Sequence, residues 1–197
     1  MISWKNFVID FIHTFSHISF RSVVITNWEK EGGVLLMGYE MFRLLAGTKA
    51  QQRKKKIPKK KPLCIDIEEE DKEKDILVDI RKILVDPGPD LVICDEGHRI
   101  KNAHASISQV LKAIKTRRRV VLTGYPLQNN LLEYWCMVDF VRPNYLGNKT
   151  EFSNMFERPI QNGQCVDSTA RDTRLMMHRA HVLHNLLKGF VQRRSHR

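Results

Sequence analysis

An α/β fold with a mostly parallel sheet flanked by helices is predicted by two features of the chain. Short apolar runs, partly β-branched, at residues 34–38, 91–94 and 119–122 carry strand signatures. Around them lie longer stretches whose apolar residues recur at helical spacing. Strands that alternate with helices return in the same direction, which makes neighbouring strands parallel.

The elements follow in order. Residues 1–20 are rich in Phe, Ile and His, loosely helical in pattern, and carry no recognisable chemistry. Residues 1–27 are therefore set apart as an N-terminal segment. Trp28-Glu29-Lys30-Glu31 closes a helix, and Gly32-Gly33 supplies its stop. Residues 34–38 read as a short buried strand, and Tyr39 starts a helix that ends near Gly47. Residues 48–74 are a composition break, a lysine block with two prolines followed by Asp66, Glu68, Glu69, Glu70 and Asp71. Neither block can bury enough apolar surface to offset its ordering entropy, so an exposed, disordered insertion is expected.

From Asp75 the pattern is regular again. Ile76, Leu77, Ile80, Ile83 and Leu84 share one helical face. After the turn signal Pro87-Gly88-Pro89, Leu91-Val92-Ile93-Cys94 reads as a strand buried on both faces. Ser106, Ile107, Val110, Leu111 and Ile114 mark another amphipathic helix, and residues 119–122 another strand. Asn129 or Asn130 can cap a helix over residues 131–140, with Trp135 and Phe140 in the core and Pro143 enforcing its end. A last helix spans residues 172–188, with Leu175, Met176, Val182, Leu183, Leu186 and Leu187 facing the core.

Bulk properties narrow the function classes. The 197 residues suffice for one core, and the hydrophobic content of 42% is that of a globular protein. No apolar run approaches the ~20 residues that cross a bilayer, so no membrane partner is expected. No secretory leader is expected either, since Asp10, His13 and His17 break the first stretch. The net charge of +11 points to a polyanion, nucleic acid before a membrane surface. Much of that excess comes from Arg43, Lys49, Arg53, Lys54, Lys55, Lys56, Lys59, Lys60 and Lys61, a tract with no acidic residue, which a solvated loop explains as well. The same tract fits a nuclear localisation signal or a phosphate-binding arm. Cys64, Cys94, Cys136 and Cys165 form no C-x-x-C pair, so neither zinc nor a disulfide framework is indicated, and Cys94 and Cys136 read as core thiols. Cytosol or nucleus fits that usage.

The chemistry concentrates in two loops. Asp95-Glu96-Gly97-His98 follows a strand directly, at the sheet edge where open α/β folds bind ligands. Thr123-Gly124-Tyr125-Pro126-Leu127-Gln128-Asn129-Asn130 follows the next strand. Two strands delivering polar loops to one edge suggest a nucleotide-hydrolysing motor, which needs a carboxylate for Mg²⁺ and a group that orients water. Asp95 is the candidate for Mg²⁺ through a bound water, and Glu96 for polarising the lytic water. Gly97 permits close approach of backbone to phosphate, and His98 links the nucleotide site to the neighbouring loop. The plainer reading of the second loop is a tight turn. His178, His181 and His184 spread over ~120° of a helix, too wide for shared metal ligation. Arg117-Arg118-Arg119 can touch phosphate or form a solvated turn.

Asp95-Glu96-Gly97-His98 followed by Arg99-Ile100-Lys101-Asn102 resembles motif II of the helicase superfamily, and residues 122–130 resemble motif III of its SWI/SNF-type (superfamily 2) ATPases. Glu151-Phe152, Asn154, Phe156, residues 159–165 and Asp167-Ser168-Thr169 resemble the ATRX branch, and Tyr125, where most relatives carry Thr, narrows the resemblance within it. The likeness spans residues 28–47 and 86–194, and residues 33–44 resemble the segment around motif Ib. It implies an incomplete RecA-like lobe of the P-loop NTPase type, made of residues 28–47 and 75–194. It also implies ATP and Mg²⁺ as cofactors, double-stranded DNA or nucleosomes as partners with nuclear proteins beside them, and a nuclear location. Nucleotide contacts fall on Asp95, Glu96, Gly97 and His98, coupling on Thr123, Gly124 and Gln128, and DNA contacts on Gly38, Tyr39, Lys101 and Asn102.

The departures shape the functional expectation. No G-x-x-x-x-G-K-[ST] occurs, and Gly147-Asn148-Lys149-Thr150 has the wrong spacing. The second lobe of the family is absent, so a partial gene model or a shortened isoform is expected, inactive alone. The alternative is a non-catalytic module that holds DNA or a protein. An RNA helicase is disfavoured, because the D-E-A-D and S-A-T signatures are missing.

Overall fold

The computed structural model describes residues 9–11, 18–48, 67–124 and 130–194. It divides into two compact units, Met1–Leu122 and Thr123–Arg197. The first contains β1 (Ile9–Phe11), α1 (Ile18–Glu31), β2 (Val34–Leu36), α2 (Tyr39–Ala46), α3 (Ile67–Val85), β3 (Val92–Cys94), a 3-10 helix (Gly97–Ile100), α4 (Ser106–Lys112) and β4 (Arg119–Val121). Helix α1 stops as the sequence indicates. Gly32 and Gly33 take φ of 75° and 104°, and the Gly32 N–H bonds the Trp28 carbonyl at 2.8 Å. Ile25, Leu45, Ile80, Leu84 and Val110 from four helices form the core, with Ile76, Leu77 and Ile83 packed against it.

The strands pair in parallel, as expected, but as two separate two-stranded ladders among the described residues, β1 with β2 and β3 with β4. Their predicted burial does not hold. In β3–β4 the register Ile93↔Val120 places Leu91, Ile93, Val120 and Leu122 on one face by strand alternation. All four are exposed, Ile93 by 58%, while Cys94 on the opposite face is 4% exposed. A continuous apolar run marks a strand buried twice only when cover lies on both sides. In β2, likewise, Leu36 is exposed.

Helix α3 begins at Ile67, inside the segment expected to be disordered. Glu and Lys, which dominate residues 68–74, are strong helix formers once a downstream apolar face anchors the helix. Residues 49–66, with most of the lysine block, lie outside the described residues.

The second unit holds α5 (Leu131–Val141), α6 (Lys149–Phe152), a π-helical segment (Ser153–Glu157), α7 (Arg158–Gln164) and α8 (Ala170–Leu187). Asn130 caps α5, its side chain accepting from the Leu132 and Glu133 amides at 3.1 and 3.4 Å. Trp135, Phe140, Phe152, Phe156, Leu183 and Leu187 are buried, as predicted for the first two and the last two. Leu175 and Leu186 are exposed, against expectation. Helix α8 packs mainly on α7 and the π-helical segment, so only the stripe facing them is buried.

The helices at residues 149–164 went unread in the sequence, although capping signals announce them. Asn148 and Glu151 form a reciprocal capping box at α6, and Thr169 and Asp172 form another at α8. The first shows what Gly147-Asn148-Lys149-Thr150 does, which is to begin a helix. The Thr169 hydroxyl and amide both bond the Asp172 carboxylate, and these bonds hold its pKa below the ordinary value.

Two outcomes follow from this packing. A Cβ at Gly163 would lie 2.4 Å from the Met176 Cβ and 2.9 Å from the Asp172 carbonyl oxygen. Gly163→Ala therefore forces α7 off α8 and should destabilise the fold by about 1–3 kcal/mol in urea denaturation. A depressed carboxyl pKa contributes stability above the unfolded-state value, which is lost as pH falls through the folded-state value. Acid titration of the melting temperature should accordingly be shallower in Asp172→Asn than in the natural chain.

Candidate active-site loop and adjoining basic pocket

The loop after β3 is fixed by backbone bonds on both sides. Register Cys94↔Val121 sets the carboxyl ends of β3 and β4 side by side. The Leu122 N–H then bonds the Cys94 carbonyl, and the Gly97 N–H returns to the Leu122 carbonyl, both at 2.8 Å. Between these two anchors the chain must turn sharply. The Glu96 N–H bonds Asp95 Oδ1 at 2.8 Å, and Glu96 adopts φ 51° and ψ 56°. That left-handed conformation is uncommon for a residue with a Cβ and costs about 1–3 kcal/mol. The 3-10 helix follows, with Arg99 N–H bonded to the Glu96 carbonyl at 2.9 Å and Ile100 sunk into the core at 2% exposure.

The turn leaves Asp95 and Glu96 exposed at the strand end and buries Gly97. The positive φ of the turn falls on Glu96, and the Gly97 amide is engaged across the ladder. His98 Nδ1 lies 3.3 Å from Glu96 Oε2, close enough for a charge pair though not aligned as a hydrogen bond. The Tyr39 hydroxyl, from the first turn of α2, donates to the Asp95 carbonyl. Burial, then Cys94 and Asp95 nearby, push the Tyr39 phenol above the ordinary tyrosine range. Burial also pushes the Cys94 thiol up, against the opposing influence of the neighbouring Tyr39 hydroxyl.

Beside this loop lies a solvent-open pocket of about 350 Å³ lined by Tyr39, Glu40, His98, Arg99, Lys101, Asn102 and Ile107. Three of the four residues expected to meet DNA, Tyr39, Lys101 and Asn102, thus share one concavity, and Gly38 precedes it as the N-cap of α2. Asn102 also opens the way into α4, its Oδ1 accepting the His104 amide at 2.9 Å. Arg99 and Glu40 were not singled out in the sequence, although the basic run after the acidic pair was the signal for Arg99.

Other candidates are placed differently. Thr123 and Gly124 are exposed and open the second unit, and Gln128 lies outside the described residues. Arg119 is turned inward. Its guanidinium donates to the Thr116 carbonyl at 2.9 Å and the Ile114 carbonyl at 2.6 Å, finishing the turn after α4. His181 Nε2 pairs with Asn185 at 2.9 Å on the exposed side of α8.

Among the described residues no three His, Cys, Asp or Glu side chains gather to hold a metal. The exposed Asp95 carboxylate, with one oxygen engaged by an amide, suits a hydrated Mg²⁺ held through water, which is how that ion is commonly bound beside phosphates. For nucleotide phosphates the described residues offer the two carboxylates, and the sequence holds no Gly-rich lysine loop.

Parallel strand pairs, flanking helices and an acidic loop at the strand ends define a partial α/β lobe. The chain belongs to the SNF2-related domain family, whose model matches residues 12–197. It is 66% identical to Helicase ARIP4 of Xenopus tropicalis and 65% to that of Homo sapiens, over 89% of this chain and 13% and 12% of those proteins. It is 47% identical to human Transcriptional regulator ATRX, over 89% of this chain and 6% of that protein. The chain thus spans about an eighth of the length of the ARIP4 relatives. The Sulfolobus solfataricus SWI2/SNF2 ATPase core in complex with dsDNA superposes at a TM-score of 0.40 with 27% identity, over 52% of this chain and 19% of that one.

The burial of the thiols is open to direct measurement. Cys94 and Cys136 are 4% and 6% exposed, whereas Cys165 is exposed. Alkylation mapped by mass spectrometry should label Cys165 promptly, and Cys94 and Cys136 only under unfolding conditions.

Proposed function

We propose that this chain supplies the carboxylate half of an ATP site and part of the DNA track of a nuclear, DNA-dependent ATPase that remodels chromatin. One observation carries the reading. The pocket that gathers Tyr39, Lys101 and Asn102 touches the Asp95–Glu96 loop through the Tyr39 hydroxyl. Family membership and the ARIP4 and ATRX relatives support it.

The roles follow from position. Asp95 would hold hydrated Mg²⁺, which supplies charge neutralisation at phosphate oxygens. Glu96 orients and polarises the attacking water, and His98, 3.3 Å from its carboxylate, restrains it. Thr123, Gly124 and Gln128 couple the nucleotide state to the rest of the motor. Gly38, Tyr39, Lys101 and Asn102, joined by Arg99, meet the DNA backbone with donors and positive charge. Losing one electrostatic donor to a transferring group costs roughly 10²–10³ in rate. Without a phosphate cradle, this chain by itself hydrolyses ATP negligibly.

Fluorescence anisotropy with duplex DNA over a salt series tests the reading. The logarithm of the binding constant should fall linearly with that of salt, and Lys101→Ala should lower the slope by about 1. An unchanged slope in that variant, or ATP turnover by the chain approaching that of a complete motor, would refute the assignment.

A further inference from the structure

The peptide joining Asp95 to Glu96 is engaged at both ends. Its carbonyl accepts from the Tyr39 hydroxyl and its N–H is bonded to Asp95 Oδ1 at 2.8 Å. The next residue, Glu96, stands in the left-handed region, a conformation that persists only while its surroundings impose it. Tyr39 reaches this peptide from fifty-six residues away in sequence, and it also lines the basic pocket.

A phenol has one proton to donate. A phosphate oxygen is an ionised acceptor and forms a stronger bond than a peptide carbonyl. With a phosphate in the pocket, the hydroxyl therefore has two competing acceptors, and the stronger lies on the ligand side. Departure of the proton from the Asp95 carbonyl removes the side-chain bond that reaches this peptide from α2, and leaves the turn held by the Gly97 closure on the Leu122 carbonyl. The left-handed turn then relaxes, and Asp95 Oδ1 is freed from the Glu96 amide.

We infer that Tyr39 is a positioning residue, a latch that holds the Asp95–Glu96 peptide in its left-handed turn and is released when a DNA phosphate occupies the pocket. The inference rests on the DNA reading above and adds its regulation, because occupancy of the track is transmitted to the catalytic carboxylates through a single hydroxyl. Tyr39→Phe keeps the ring and deletes the latch. Lys101→Ala keeps the latch and removes a phosphate partner.

Amide hydrogen exchange of the 197-residue chain, read at Gly97 and Arg99 with and without a short duplex DNA, tests it. In the natural chain both amides should be protected and should exchange about tenfold faster with DNA bound, as in a local opening. In Tyr39→Phe they should exchange at the faster rate without DNA and respond no further at a DNA concentration that saturates the variant. Lys101→Ala should show natural protection and a weakened response at equal DNA concentration. Amides of Leu183 and Leu187 report on folding elsewhere and should stay constant. Natural protection in Tyr39→Phe overturns the latch. A natural chain that binds DNA without loosening the loop overturns the coupling but leaves the DNA reading intact. A natural chain that fails to bind duplex DNA overturns both.

Discussion

The register of β3 against β4 is the constraint on which the site depends. Val92 N–H to the Arg118 carbonyl, Leu122 N–H to the Cys94 carbonyl and Gly97 N–H to the Leu122 carbonyl form a continuous series. Side chains alternate along a strand, so a slip of one residue would exchange the faces, exposing Cys94 and burying Ile93. It would also remove the partner of Gly97 and with it the closure that turns Glu96 left-handed. Two carboxylates projecting from a strand end are common. Their fixed orientation here comes from that closure together with the Tyr39 hydroxyl bond to the Asp95 carbonyl.

The sequence was most readable where local chemistry dominates. Helix α1 stops at Gly32-Gly33, Asn130 caps α5, and the face of α3 containing Ile80 and Leu84 is buried, each following from a residue's own preferences. The acidic loop was legible because an apolar run precedes it. Burial across elements was less so. Ile93 and Leu175 look like core residues by pattern, yet whether a face is covered depends on a neighbour that pattern does not specify. Helices α6 and α7 were missed for another reason. They are short, a π-helical segment separates them, and their main announcement is capping chemistry and not apolar period.

The placement of the candidate site shows the same division. Tyr39, Lys101 and Asn102 came from motifs separated by a long segment, and no local rule says they share a pocket. Packing of α2 against α4, with the Tyr39 hydroxyl on the Asp95 carbonyl, brings them together. The net charge of +11 was an equally blunt guide. Arg119 satisfies carbonyls at the end of α4, and Arg43 pairs with Glu40 at 2.8 Å. The positive residues with access to the pocket are Arg99 and Lys101, and they carry the recognition argument in place of the total.

The inward turn of Arg119 also bears on how the lobe assembles. Its guanidinium bonds join residues three and five positions apart, whereas the ladder it begins pairs with Val92 far upstream. Closing a short loop costs less chain entropy than closing a long one, and local contacts form sooner. The clamp therefore holds the first residue of β4 through contacts that need no pairing with β3. A strand whose first residue is set locally has fewer registers open to it against β3, which disfavours the one-residue slip that would dismantle the carboxylate loop.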